Sequence, residues 1–388
     1  MAFVERISDL SPARWNRLEG TGNPFLRHEF LSGLEITGCT TADTGWQPHH
    51  WVETDDSGIL KAALPCYLKT HSFGEYVFDW AWAEAWAHYG LDYYPKLLSA
   101  IPFTPCEGPR LLVAPGEDPS GAGSQAAQAM LDEVQAQSAS GWHLLFPDGS
   151  ARHNLHREEW MTWLSCQFHW HNEGFSSFED FLGALKSRKR KQIRKERGAV
   201  TEQGIHFQKL RGEDISEQAL DAFFLFYQAT YLKRGQRPYL NRAFFEHLVN
   251  AMPEQLFLVM AVHEGRYCAA ALFLHDRERL YGRYWGCLEE YDQLHFEACY
   301  YQGIDFCIER GLSRFDAGPR ASTNSSAASG LTCSSPFTGS RIPDCAPPSP
   351  ISAGGRHRPS GLTPRRRAWN CLSGKVTCNR IIPGLRLC

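Results

Sequence analysis

A chain of 388 residues, 43% hydrophobic and 13% aromatic, has the apolar material for a large buried core, which excludes a mainly disordered protein. No apolar run approaches bilayer length, and M-A-F-V-E-R-I-S-D-L lacks a basic-then-apolar leader, so a cytoplasmic location is expected. The net charge of −3 combines a body with 30 basic and 42 acidic residues and a segment 319–388 with ten basic residues and one acid, Asp344; so acidic a body excludes bulk nucleic-acid binding and confines any such contact to a local patch. The thirteen cysteines form no C-x-x-C pair and are read as reduced thiols, mostly small core residues, with no metal site expected.

In chain order, 24–36 predicts a helix with Phe30, Leu31, Leu34 and Ile36 on its apolar face. Strands follow near 51–54 and 59–69, with Asp55, Asp56, Ser57 and Gly58 as hairpin residues. Residues 76–98 are the densest aromatic stretch. Next come a strand at P-R-L-L-V-A-P, a loop containing Gly121 and Gly123, a helix at Q-A-A-Q-A-M-L-D-E-V-Q-A-Q and a strand near 142–147. The second half begins near Phe168 with a helix running into S-R-K-R-K-Q-I-R-K-E-R, a helix around Phe223 to Tyr231, and another at 243–251. Three strands predict a meander. The helix after them places Phe296, Cys299, Tyr300, Gly303, Ile304, Cys307 and Ile308 on one stripe, Gly311 stops it, and R-F-D-A-G is a strand.

After Gly318 the character changes. Residues 319–388 contain no Glu and two aromatics of the Phe, Trp and Tyr type, Phe337 and Trp369, and no periodicity. A disordered tail is expected, and a reading-frame slip is its proposed origin. Codons for P-R-A-S-T-N-S-S-A-A-S-G can carry A-Q-G-E-H-K-L-V-R-G-F-G in the neighbouring frame, so loss of one base after the Gly318 codon suffices.

The string Y-V-F-D-W-A-W-A-E-A-W-A-H-Y-G-L-D-Y-Y-P-K-L-L-S-A-I-P-F-T-P resembles the signature of FemAB-like proteins, a branch of the GNAT superfamily labelled peptidoglycan biosynthesis or recognition. So do F-H-W-H-N-E-G-F, S-R-K-R-K-Q-I-R-K-E-R, L-Y-G-R-Y-W-G-C and L-H-F-E-A-C-Y-Y-Q-G-I-D-F-C-I-E-R-G-L, and the likeness covers roughly 20–318. It implies an α/β fold of tandem GNAT-like halves, mixed sheets flanked by helices, at 1–160 and 161–318. It also implies acyl or aminoacyl transfer to an amine of a peptide or peptidoglycan precursor, with acyl-CoA or aminoacyl-tRNA as co-substrate and no permanently bound cofactor. The family's G-E-H-K-like segment after the F-D-A-G strand is missing here and reappears in the shifted frame.

Within that frame, Gly121 and Gly123 are candidates to present backbone N–H groups to a pyrophosphate, against the alternative of an ordinary glycine turn. Lys186–Arg197 contains eight basic residues and one acid. Arg188, Arg190, Lys191 and Arg194 are candidate phosphate contacts for tRNA or coenzyme A, against a solvated helix face. Asp79, Glu84 and His88 lie among Trp80, Trp82 and Trp86, where exclusion of water suits proton transfer; the tryptophans themselves read as core. Glu84 or His88 is the expected base, and Tyr284 or Tyr301 the expected assistant to the leaving group. Arg283 and Trp285 are expected on one strand face, with Tyr284 on the other, and His295 opens the next helix, all candidates to line the cleft. The competing expectations are a non-catalytic peptide- or glycan-binding protein and, on Lys186–Arg197 alone, a nucleic-acid binder.

Overall fold

In the computed structural model, the structure describes residues 1–77, 79–157, 160–164, 167–318, 331–334 and 337–340. The first half contains β1 (Ala2–Val4), α1 (Pro12–Trp15), α2 (His28–Ile36), β2 (Trp46–Pro48), β3 (His50–Thr54), β4 (Leu60–Leu64) and β5 (Tyr67–Lys69). It continues through α3 (Trp80–His88), β6 (Lys96–Ser99), β7 (Leu112–Val113), α4 (Pro119–Ala136), β8 (Trp142–Leu145), α5 (Gly149–Leu155) and β9 (Met161–Leu164). The second half has β10 (Gln167–His171), α6 (Phe178–Ala184), α7 (Ser187–Glu202), β11 (Ile205–Arg211), α8 (Glu217–Leu232) and α9 (Arg242–Ala251). Then come β12 (Leu256–His263), β13 (Arg266–His275), β14 (Arg279–Cys287), α10 (Leu294–Phe296), a π-helical turn Glu297–Tyr301, α11 (Gln302–Arg310) and β15 (Arg314–Asp316). Two short strands, β16 (Leu331–Ser334) and β17 (Phe337–Ser340), complete the order.

Local chemistry starts and stops these elements. Asp118 caps α4 by accepting from the Ser120 and Gly121 amides, with Pro119 in the first turn, where its missing N–H costs nothing. Ser216 and Asn241 cap α8 and α9 in the same way. Asp55 accepts from the amides of Ser57 and Ile59, closing the expected β3–β4 hairpin. At the end of α11, Gly311 takes φ +66° and Leu312 N donates to Cys307 O at 2.8 Å, which terminates the helix.

Three sheets result, ordered β1-β3-β4-β7, β2-β5-β6-β8-β17-β9 and β11-β12-β13-β14-β15-β10-β16. Each half repeats one motif: a strand, a helix, and a return strand parallel to the first. In the first half β6 leads through α4 to β8, pairing Leu97 with Trp142; in the second, β14 leads through α11 to β15, pairing Leu280 with Phe315. This repeat is the tandem architecture expected from the family resemblance. In β12, Leu258 and Met260 join a cluster with Phe25, Phe30 and Trp46 of the first half, while Phe257 and Val259 pack with Phe306 and Ile304 on the opposite face. The halves therefore share a core, and the alternation of a strand's side chains divides the sheet between two apolar layers.

Three details differ from the sequence reading. The glycines Gly121 and Gly123 lie inside α4, because the Asp118–Pro119 start precedes the expected one. The aromatic stretch forms α3, and no residue of that helix is buried, so its tryptophans are not core. Regular structure also occurs beyond Gly318: β16 pairs with β10, and β17 lies between β8 and β9. Backbone pairing needs no side-chain periodicity, only N–H and C=O groups facing unpaired partners. The remainder of the expected disordered tail lies outside the described residues. The described cysteines are free thiols: Cys39, Cys66, Cys106 and Cys307 are buried, and Cys268, Cys287 and Cys299 half-buried.

Candidate active site

Strands β14 and β15 pair only at Arg279–Tyr281 with Arg314–Asp316. Beyond that point β14 continues to Cys287 paired with β13 only, while β15 ends and the Gly318 amide donates to the Asp316 carboxylate at 2.9 Å. A cleft of about 190 Å³ opens where the strands part. Its floor is Gly282–Trp285 of β14 with Ala317 and Gly318, and its sides are Tyr227, Thr230, Tyr231 and Arg234 of α8 and His295, Cys299 and Tyr300 of the following helix. Tyr76, Phe103 and Pro105 reach in from the first half. Two features at this spot interrupt regular backbone. The β13–β14 register shifts between Leu272 and Phe273, and the π turn carries Cys299 and Tyr300. Bulges and π turns re-aim side chains, and they cluster beside functional sites.

The bulge decides where Arg283 and Tyr284 point. Arg283 lies over the Phe25 and Tyr281 rings, and Tyr284 packs edge-on to Tyr227 and Phe245, all members of one core cluster. Trp285 instead meets His295, ring centroids 5.3 Å apart. Simple alternation would have paired Arg283 with Trp285; the extra residue of the bulge reverses that expectation. The Arg283 side chain is 2% exposed and donates through Nη2 to Asp316 at 2.8 Å. Its Nε has no hydrogen-bond partner, so a buried donor is left unused at the cleft. Burial alone would weaken the guanidinium, but the Asp316 charge outweighs it and raises its pKa. Burial pushes the Tyr284 phenol upward, keeping it protonated. His295, open on one side, is surrounded by Trp285, Phe296 and Tyr300, and burial together with the Arg234 charge holds its imidazole below the ordinary range. It is therefore neutral near pH 7 and able to accept a proton.

Other sequence candidates lie elsewhere. Glu84 and His88 are exposed on α3, outside the cleft. Asp79 is buried in a separate cluster: its Oδ2 accepts from Lys96 Nζ at 2.5 Å, Tyr93 at 2.8 Å and Ser72 at 3.0 Å. Burial opposes its ionisation, yet the Lys96 charge and these donors hold its pKa below the usual carboxylate range. The expected trio of Asp79, Glu84 and His88 is thus not brought together: a capping residue and two outward-facing helix positions cannot converge. Tyr301 is buried, donates to Glu196 of α7 and does not line the cleft. The Gly121 amide is already bound by Asp118, and a Cβ at Gly123 would stand 2.3 Å from the carbonyl oxygen of Asn154. These glycines serve a cap and a close helix contact, and the carboxylate at the helix start opposes a phosphate there. Arg188, Lys191 and Arg194 are exposed and Arg190 half-buried on α7; Arg194 pairs with Glu179 at 2.5 Å, while Arg197, in the same run, binds Glu297 and Asp305 beneath the π turn. Among the described residues no group of His, Cys, Asp and Glu is placed to hold a metal ion, and no helix is long and apolar enough to cross a membrane.

Of the sequence candidates, Arg283, Tyr284, Trp285 and His295 are brought to one cleft. Tyr76, Phe103, Tyr227, Tyr231, Arg234 and Tyr300 were not legible from the sequence, because aromatic positions of this kind read as core and their convergence depends on how the halves pack.

Two α/β halves, each with a parallel strand–helix–strand unit, make the fold tandem GNAT-like. The profile of the FemAB-like family, described as peptidoglycan biosynthesis/recognition, matches residues 6–332, and the chain belongs to that family. Among solved structures it is similar to FemX, at 12% identity and TM-score 0.51, covering 87% of this chain and 97% of that one. It is similar also to L-PGS from Bacillus licheniformis, at 9% identity and TM-score 0.51 over 83% and 91% of the two chains. A conserved protein of unknown function from Bacteroides thetaiotaomicron matches at 10% identity and TM-score 0.51 over 87% and 99%. At these identities the likeness is one of fold. No curated protein matches the chain in sequence.

Proposed function

We propose that the chain is a cytoplasmic N-acyltransferase or aminoacyltransferase whose chemistry takes place where β14 and β15 part. The observation that carries this reading is the unpartnered Nε of buried Arg283 at the floor of the cleft. Acyl transfer develops negative charge on a carbonyl oxygen, and a fixed, water-poor cationic donor stabilises that charge without reorganising. The amine of a peptide or peptidoglycan precursor attacks the acyl carbon. A C–N bond forms, and the C–S bond of an acyl-CoA or the C–O bond of an aminoacyl-tRNA breaks. The amine's proton passes to His295 and then to the departing sulfur or oxygen, while Tyr284, held protonated, donates a hydrogen bond nearby. The exposed basic face of α7 suits the phosphates of either donor, and Arg197 links that helix to the turn carrying Cys299 and Tyr300.

The test is transfer itself. Purified protein is incubated with acetyl-CoA or charged tRNA and a panel of primary amines, with thiol release or acyl product recorded by mass spectrometry. Amine-dependent product is expected with one donor class. Tight amine or peptide binding with no product from either donor would replace this reading by the non-catalytic one.

A further inference from the structure

We propose that Tyr76, from the first half, selects the acceptor in the second half's cleft, and that the buried Glu75–Lys96 pair is its positioning device. This rests on the acyl-transfer reading above and names the substrate class: primary amines carried on an apolar stem. Tyr76 and Phe103 both line the cleft, and both adopt the left-handed backbone region, at φ +60° and +56°. That region strains a bulky side chain, and it persists only where the surroundings over-determine it.

Here they do so on each side. Immediately before Tyr76, Glu75 is 3% exposed and accepts from Lys96 Nζ at 2.8 Å; Lys96, with no exposure, also binds Ser72 and Asp79. One fully buried ammonium thereby ties both ends of segment 72–79 to β6. One residue earlier, a Cβ on Gly74 would stand 2.7 Å from the Phe103 ring and 3.2 Å from Trp46 Nε1. The segment cannot slide, so Tyr76 is held across the junction with its hydroxyl 3.5 Å from that of Tyr231. Tyr231 packs on Tyr227 and Tyr239, and Tyr239 stacks on Phe103 at 5.1 Å.

The result is a wall of phenol and phenyl rings, 37% exposed at Tyr76 and so reachable by a ligand. Among the described residues lining the cleft there is no carboxylate. The wall therefore does not retain an ammonium by ion pairing. With Arg283 and Arg234 also on the lining, it holds the amine through its apolar stem packed on the rings and, by desolvation and those two charges, favours the neutral amine that attacks.

Phenethylamine serves as the probe, with binding followed by calorimetry and melting temperature measured alongside. Tyr76→Gly removes the ring and the backbone strain together. It should weaken phenethylamine binding up to about tenfold, a factor of the size one aromatic–aromatic contact supplies, with melting temperature unchanged or higher. Tyr76→Phe should stay within about threefold of the parent, because the ring remains. Glu75→Gln should raise KM for the amine more than it lowers kcat. Failure of the parent to bind phenethylamine, or a Tyr76→Gly protein that melts lower and binds the probe as the parent does, would overturn the proposal. Binding that depends on Tyr76 without turnover from any donor would instead count against the transfer reading alone.

Discussion

At the scale of single residues, Arg283 carries two duties that one substitution can separate. Its Nη2 neutralises buried Asp316, and its Nε is buried without a partner. Arg283→Met would strand the Asp316 carboxylate, and removing one partner of a buried pair costs about 3–5 kcal/mol. Arg283→Lys keeps the charge beside Asp316 and loses the planar fork. We expect it to melt near the parent and to lose roughly a hundred- to thousandfold in kcat, the usual cost of an oxyanion donor; unchanged kcat would leave Arg283 a structural ion. His295 gives the complementary test. Its pKa is lowered from 6.5, so the neutral base forms at lower pH than for a free imidazole. Activity should rise with pH through an apparent pKa below 6.5 and be level above it, and His295→Gln should abolish that acid limb in a kcat/KM profile.

At the scale of elements, α7 is the least settled. Its first turn carries no acid and several bases, the reverse of what the helix dipole favours, and Ile193 and Val200 are its only buried residues. The Arg194–Glu179 pair is exposed on both sides, and such pairs, screened by water and salt, add little to stability. Changing Arg190, Lys191 and Arg194 to Ala should therefore leave melting nearly unchanged. It should weaken the phosphate-bearing donor by about 1 kcal/mol or more for each charge-assisted hydrogen bond removed. Equal binding of coenzyme A and tRNA by parent and triple variant, measured at low salt, would make α7 a solvated face. The π turn shows how an element can be legible while its function is not. The stripe from Phe296 to Ile308 was readable at helical spacing, but the one-residue expansion at Glu297–Tyr301 turns Tyr300 to the cleft and Tyr301 to Glu196.

For the whole molecule, the decisive question lies at Gly318, which closes the floor of the cleft. The proposed frame slip begins with the next codon. Strands β16 and β17 place backbone at the edge of β10 and between β8 and β9, positions that any chain able to extend can occupy. Side chains in the shifted frame would add the apolar periodicity that 319–388 lacks. Restoring one base should raise the melting temperature and protect the chain from limited proteolysis beyond Gly318. The same gene sequence in independent isolates, or a restored protein no more stable than this one, would retire the frame-slip explanation.

The sequence by itself determined the α/β class, the hairpin at Asp55 and the helix ending at Gly311. Each follows from short-range rules: alternation, helical stripes, caps and turn residues act within a few positions and are written locally. Only the tertiary structure decided that Glu84 and His88 face outward, that Asp79 serves Lys96, and that Tyr76 and Phe103 belong to the far half's cleft. Those outcomes depend on which of many similar aromatic faces pack together and on one-residue slips in a strand and a helix. A bulge reverses every side chain beyond it, and no local pattern in this chain marks where it falls.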